Sequence, residues 1–133
     1  QQYQDRIFPT LVQEMVEKEY EVRAFYLDGR FYSMVIYSQL DNQTTTDFRR
    51  YNFKNPNRNV PYLLPKETED RLRKLMQSLN LNTGSIDMIK AKDGRYVFLE
   101  INPVGQFGMV SHPCNYYLEK EVAKWLIKND QSS

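Results

Sequence analysis

Two carboxylates and an amide, Asp87, Glu100 and Asn102, lie in two apolar runs that flank Asp93-Gly94. The runs are Ser85-Ile86-Asp87-Met88-Ile89 and Tyr96-Val97-Phe98-Leu99-Glu100-Ile101-Asn102. Asp-Gly between such runs is the strongest short signal for a hairpin closed by a two-residue turn. With that turn, Lys92 faces Arg95, opposed residue numbers always sum to 187, and Asp87 lies directly opposite Glu100. Asn102 falls on the face of Glu100, because side chains alternate along a strand. Like charges opposed at ~5 Å repel by about 3 kcal/mol at an effective dielectric of ~20. A half-buried face carries that only with a counter-charge; otherwise the register slips or both acids face water. Two carboxylates and an amide offer hard oxygen donors of the kind Mg²⁺ takes, with positions left for water and phosphate oxygens.

Other charged residues sit on upstream elements. Glu21-Val22-Arg23-Ala24-Phe25-Tyr26-Leu27 and Arg30 to Gln39 flank Asp28-Gly29, which predicts a second hairpin over 21–39. Glu21, Arg23 and Phe25 share one face of it, and Val22, Ala24 and Tyr26 the other. Arg49-Arg50, set between Phe48 and Tyr51, offers two guanidinium groups suited to bidentate phosphate binding. Solvated loop arginines are the commoner explanation of such a dipeptide. The surrounding segment 40–65 is polar, and prolines at 56, 61 and 65 make 55–65 read as an irregular surface loop. Loops of that length in a compact domain are usually functional.

The remaining elements read as scaffold. The spacing of Leu72, Leu75, Met76 and Leu79 predicts a helix over 66–81, begun at Pro65 and ended by Asn80, Asn82 and Gly84. A second helix is expected over 115–128, with Leu118, Val122, Trp125 and Leu126 or Ile127 turned inward. Between the Asp93-Gly94 hairpin and that helix, Pro103 to Met109 reads as a glycine-bearing loop, close to a ligand or simply a tight turn. His112 and Cys114, in the loop that follows, read as structural. Gln13 to Glu19 is a connector or a short helix. The order of elements is that of an α+β domain, an antiparallel β-sheet with packed helices.

Composition bounds the function. The 133 residues are 41% hydrophobic with a net charge of +1, enough for one core and short of the basic excess that nucleic-acid binding needs. One cysteine and one histidine exclude an internal disulfide and a zinc site of Cys/His type, and fit a reducing, cytoplasmic setting. No apolar stretch is long enough to span a membrane, and no signal peptide is visible. The chain opens on Gln1-Gln2-Tyr3 without an initiator methionine, which points to a piece of something longer.

Taken in order, Gln13-Glu14-Met15-Val16, Glu21-Val22-Arg23, Asp47-Phe48-Arg49-Arg50, Asp87 and Glu100-Ile101-Asn102 resemble the C-terminal subdomain of an ATP-grasp carboxylate-amine ligase. The run Glu100 to Ser111 and the following Asn115 to Lys120 resemble, more narrowly, the grasp-with-spasm peptide maturases. Those enzymes close ω-ester and ω-amide rings in ribosomally made peptides. The resemblance covers 13–128. It implies that Gln13, Glu14, Met15 and Val16 form the hinge that holds the adenine, with Glu21 near the nucleotide. It also implies that Arg23 reaches phosphate and that Arg49 or Arg50 contacts phosphate or a substrate carboxylate. Which of the two arginines does so is open, since Arg49-Arg50-Tyr51-Asn52 replaces the family's Arg-x-Asn order. Asp87, Glu100 and Asn102 match the magnesium ligands, with Glu100 expected to bridge two ions. The implied cofactors are ATP and Mg²⁺. The implied partners are a precursor peptide and the N-terminal part of the same ligase, with a homodimer admitted and neither nucleic acid nor membrane expected. The implied chemistry is acyl-phosphate formation followed by attack of a hydroxyl or amine. The lysine and glycine-rich loop that the family uses on phosphate precede this segment, so the segment alone is expected to be inactive. A non-catalytic peptide- or nucleotide-binding module, and a ligase of small amino-acid substrates, are the alternatives.

Overall fold

A computed structural model describes residues 13–37 and 58–130. Arg49 and Arg50 lie outside the described residues. Eight elements follow in order: strand β1 (Lys18–Leu27), β2 (Arg30–Tyr37), β3 (Arg58–Tyr62), helix α1 (Lys66–Ser78), β4 (Thr83–Ala91), β5 (Tyr96–Asn102), α2 (Gly108–Cys114) and α3 (Leu118–Asn129). The strands make one antiparallel sheet in the order β3-β2-β1-β4-β5. The class is α+β, as expected.

The alternation within β1 divides the core. Val22, Ala24 and Tyr26 face α1, where Leu72 and Met76 join Val35, Ile86 and Met88 in one buried cluster. Phe25 and Leu27 face the other way and pack with Met34, Ile36, Val110, Cys114 and Leu118 under α2 and α3. Each such buried side chain contributes about 1.5–3 kcal/mol, so both layers are held to the sheet by transfer from water. On the α1 side, Tyr62 of β3 bonds through its hydroxyl to Tyr20 of β1, at 3.2 Å, and to Tyr96 of β5. Burial and the Tyr62 hydroxyl push Tyr96 up to about 12 and raise Tyr20 as well.

Several expectations need correction. Residues 58–62 are a strand, not irregular loop: Pro61 opposes Met34 on a sheet edge, where a missing N–H costs no ladder bond. His112 and Cys114 lie in α2, which contains Pro113. Helix α1 ends at Ser78, and Gly84 belongs to β4. Asn80, at φ 53°, makes the left-handed break after it. Leu79 is 50% exposed. Helix α3 starts at Leu118, and Leu126 and Ile127 point outward at 56% and 78% exposure. Strand β1 begins three residues before Glu21, at Lys18.

The Asp93-Gly94 hairpin departs in its turn. Ala91 and Arg95 close the loop, with the Ala91 N–H on the Arg95 carbonyl at 2.9 Å and the Gly94 N–H on the Ala91 carbonyl at 2.9 Å. The loop is therefore Lys92-Asp93-Gly94, three residues with Gly94 at φ 91°, and Lys92 does not face Arg95. Lys90 pairs with Tyr96, Ile89 with Val97 and Met88 with Phe98. A bulge at Leu99 then shifts the register by one, so that Asp87 faces Glu100 and Ser85 faces Asn102 as expected.

Candidate functional site

Register brings four residues into one row across the sheet: Met34 on β2, Arg23 on β1, Asp87 on β4 and Glu100 on β5. The next row carries Tyr32, Phe25, Ser85 and Asn102. Both rows lie on the face that α2 and α3 cover only at one end.

Arg23 and Asp87 are 8% and 5% exposed. Arg23 donates from Nε to Asp87 Oδ1 and from Nη2 to Oδ2, each at 2.6 Å. This two-pronged bond is the counter-charge that the Asp87–Glu100 opposition demanded, and it joins the two hairpins at their centre. The third nitrogen, Nη1, donates to the thioether Sδ of Met109 at 3.2 Å. Glu100 and Asn102 are exposed on the same face, and the Asn102 Nδ2 donates to Glu100 Oε1 at 3.2 Å. Glu21 is buried two residues before Arg23 and forms an ion pair with Lys18.

These groups open onto a cavity of about 620 Å³ lined by Arg23, Ser85, Glu100, Asn102, Val104, Gly105, Gln106 and Met109. Its wall is the segment leaving β5, which folds back onto the sheet. A Cβ on Gly105 would come within 2.5 Å of the Ser85 nitrogen and 2.4 Å of its Oγ. Only glycine allows that approach. The Ser85 hydroxyl also donates to the Gln106 carbonyl at 3.4 Å.

Of the residues expected at a site, Arg23, Asp87, Glu100 and Asn102 come together. Gln13, Glu14, Met15 and Val16 run without helix or strand beside the Asp93-Gly94 turn, where the Lys92 N–H donates to the Glu17 carbonyl at 3.0 Å. The Ser85–Asn102 pairing was implicit in the expected register; the contact of Met109 with Arg23 had no local signal. His112 stands 3.8 Å from Glu119, while burial raises the Cys114 thiol, which keeps it unreactive. Among the described residues no group of three His, Cys, Asp or Glu side chains could hold a metal. The donor set that remains is Asp87, Glu100 and the Asn102 amide. All its ligating atoms are oxygens, Glu100 and Asn102 reach the cavity, and each Asp87 oxygen keeps a lone pair beside its bond to Arg23. The set fits Mg²⁺.

No protein-family model and no curated protein matches the chain. Solved structures do. The macrocyclase MdnC of Microcystis aeruginosa MRC, bound with precursor peptide MdnA, is 34% identical with a TM-score of 0.69, over 84% of this chain and 34% of that one. A Chryseobacterium gregarium RiPP-associated ATP-grasp ligase, in complex with ADP and a leader and core peptide, is 27% identical with a TM-score of 0.78, over 85% and 34%. The Microcystis macrocyclase MdnB is 25% identical with a TM-score of 0.67, over 87% and 40%. The structural neighbours of this chain are thus ATP-grasp ligases associated with ribosomally made, modified peptides, and its sheet-and-helix architecture matches theirs. The chain spans about a third of the length of these proteins.

Proposed function

We propose that this chain is the C-terminal subdomain of an ATP-grasp ligase. The full protein would activate Asp or Glu side chains of a ribosomal precursor peptide as acyl-phosphates and close lactone or lactam rings in the cytoplasm. The observation that carries this reading is the Arg23–Asp87–Glu100 row, with Asn102 beside it, on the open face of a sheet that MdnC shares.

In this reading Arg23, fixed by Asp87, offers its Nη1 edge to an anionic oxygen in the cavity and neutralises charge as the phosphoryl group transfers. Asp87, Glu100 and the Asn102 amide would hold Mg²⁺, with Glu100 shared if two ions bind. The metal, when bound, supplies Lewis-acid stabilisation of phosphoryl oxygens. The Glu17 carbonyl ties the segment 13–16 to the hairpin that carries the metal ligands, consistent with a hinge for the adenine. Val104 to Gln106 wall the cavity and exclude water from one side. Arg49 or Arg50 would complete the anion contacts, and the preceding part of the ligase would cover the nucleotide.

The test is ring closure by the full-length protein on an Asp-, Glu-, Thr- and Ser-rich peptide encoded nearby, followed by mass spectrometry. With wild type the peptide should lose the mass of one water per ring, with ADP and phosphate as co-products, only with Mg²⁺ and ATP, and the isolated 133 residues should close no ring. Glu100→Gln should lower turnover by about 10²-fold or more, the scale of losing an electrostatic contact to the transition state. Nucleotide binding without any ring closure, unchanged by Glu100→Gln and Asp87→Asn, would instead make this a binding module.

A further inference from the structure

The two rims of the sheet are guarded differently. Strand β3 has five residues, with Arg58 at its start and Pro61 near its end. Short length, charge and proline are the usual defences of an open strand edge. Strand β5 has seven residues, and its first four, Tyr96 to Leu99, carry neither charge nor proline. Phe98 and Leu99 are 44% and 38% exposed. As the last strand of the sheet, β5 turns one set of its backbone N–H and C=O groups away from β4. The bulge at Leu99 leaves Tyr96 to Phe98 as the regular run of that edge. Helix α1 stands beside this run, across a groove of about 690 Å³ whose apolar lining includes Leu72, Leu75, Met88 and Phe98. Its charged lining is Arg71, Lys90 and Arg95 against Glu67. Asp93 already takes Arg95, whereas the Lys90 ammonium spends one of its donors on the Gly94 carbonyl at 2.5 Å and keeps others. Arg71 and Lys90 therefore leave the groove with an excess of positive charge.

An edge strand with a helix alongside and an apolar groove between them is the arrangement that takes an extended peptide by strand addition. We propose that the β5 rim and this groove dock an extended segment of the ligase's peptide substrate as a sixth strand. Its backbone bonds to the outward groups of Tyr96 to Phe98, an apolar side chain enters between Leu75 and Phe98, and an acidic one meets Arg71 or Lys90. This rests on the ligase reading and adds a path to the site, since β5 carries Glu100 and Asn102 just beyond Phe98. Successive side chains of an added strand face opposite ways, so those between the groove-facing ones turn toward the face that bears Asp87 and Glu100. A second copy fits the rim less well, because pairing β5 with β5 would put two bulges into one ladder.

The experiment follows amide exchange in the full-length protein, residue by residue by NMR, as the Asp-, Glu-, Thr- and Ser-rich peptide of the ring-closure assay is added. With peptide at about ten times its half-saturation point, the outward amides among Tyr96, Val97 and Phe98 should slow about tenfold, while those of β3 keep their rate. Arg71→Glu should raise the half-saturation point about three- to tenfold, as for an exposed ion pair removed and reversed. Replacing the peptide's acids by lysine one at a time should find one that restores it. Phe98→Ala should raise that point about tenfold through lost apolar contact. In the ring-closure assay Arg71→Glu should raise KM and leave kcat. Rim amides unmoved by saturating peptide, or half-saturation within about twofold of wild type in both variants, would overturn the proposal; ring closure seen alongside would keep the ligase reading. Rim amides that slow with protein concentration in the absence of peptide would give the rim to a second copy and overturn it too. Protection of the rim by peptide without any ring closure would keep the docking and sink the ligase reading instead.

Discussion

The molecule contains the same dipeptide, Asp-Gly, at two hairpin tips, and folds it two ways. At Asp28-Gly29 both residues take positive φ, 45° and 89°, and Leu27 pairs directly with Arg30. This is the tight two-residue turn whose twist matches the strands. At Asp93-Gly94 only the glycine is left-handed, and Lys92 joins the loop. The difference lies in what the aspartates hold. Asp93 uses its carboxylate to accept from its neighbour's backbone, Arg95 N–H at 3.0 Å, and from the Arg95 Nε at 2.8 Å. That local clamp suits right-handed backbone at Asp93. Lys92 gains a partner in Glu17 that a two-residue turn would forgo. At the other tip, the Asp28 N–H is taken by the Asn82 carbonyl at 2.8 Å. A dipeptide specifies a hairpin; tertiary partners choose its length.

Four measurements would break or sharpen the comparison. The largest effect belongs to the link between the hairpins. Arg23→Met should destabilise the fold by about 3–5 kcal/mol in urea unfolding, because it strands the buried Asp87 charge. Adding Asp87→Leu should recover most of that loss. Next come the left-handed glycines. Gly29→Ala and Gly94→Ala should each cost about 1–2 kcal/mol, and equally, since both stand near +90° with open space around the missing Cβ. Deleting Lys92 should cost less, about 0.5–1.5 kcal/mol for the lost Glu17 bond. Asp93-Gly94 could then make the same turn as Asp28-Gly29, and cross-strand NOEs should still pair Asp87 with Glu100. The smallest effect is acid dependence. Hydrogen bonds from Arg95 hold the Asp93 carboxyl below the usual carboxylate range. Its contribution is therefore complete above the unfolded value, near 4, and is lost as pH falls through the lower folded value. Amide exchange at Arg95 should quicken only at the acid end of a titration, and Asp93→Asn should abolish that dependence.

The comparison also shows what was legible beforehand. Asp87 was placed opposite Glu100 from a two-residue turn and a regular ladder, and neither exists. The extra loop residue shifts the register one way and the Leu99 bulge shifts it back. The placement was right because two departures cancel. The bulge is hidden because Val97, Phe98 and Leu99 form an unbroken apolar run with no glycine to mark it. The two hairpins were legible from Asp-Gly between apolar runs, α1 from its apolar spacing and its opening proline, and the two faces of β1 from alternation. Strand β3 was not, because Pro61 argues for loop unless its place on an edge is known. Helix α2 was not, because seven residues containing Pro113 show no helical period. At the site, Arg23 and Asp87 were each singled out, yet their bond depends on β1 lying beside β4, a long-range pairing that no local pattern encodes.

The tyrosine contact on the α1 side has a mechanical meaning. Strands β3 and β5 are the two rims of the sheet, four inter-strand spacings apart, or about 19 Å were it flat. That is further than two tyrosines laid end to end can reach, yet Tyr62 and Tyr96 touch through their hydroxyls. The sheet therefore curls toward α1, as strand twist makes it do, and the tyrosine hydroxyls meet across the hollow. The Arg23–Asp87–Glu100 row rides on the outer curve. Tyr62→Phe would remove only those hydroxyl bonds, about 1 kcal/mol each, and the Arg23–Asp87 pair on the outer face should keep its place.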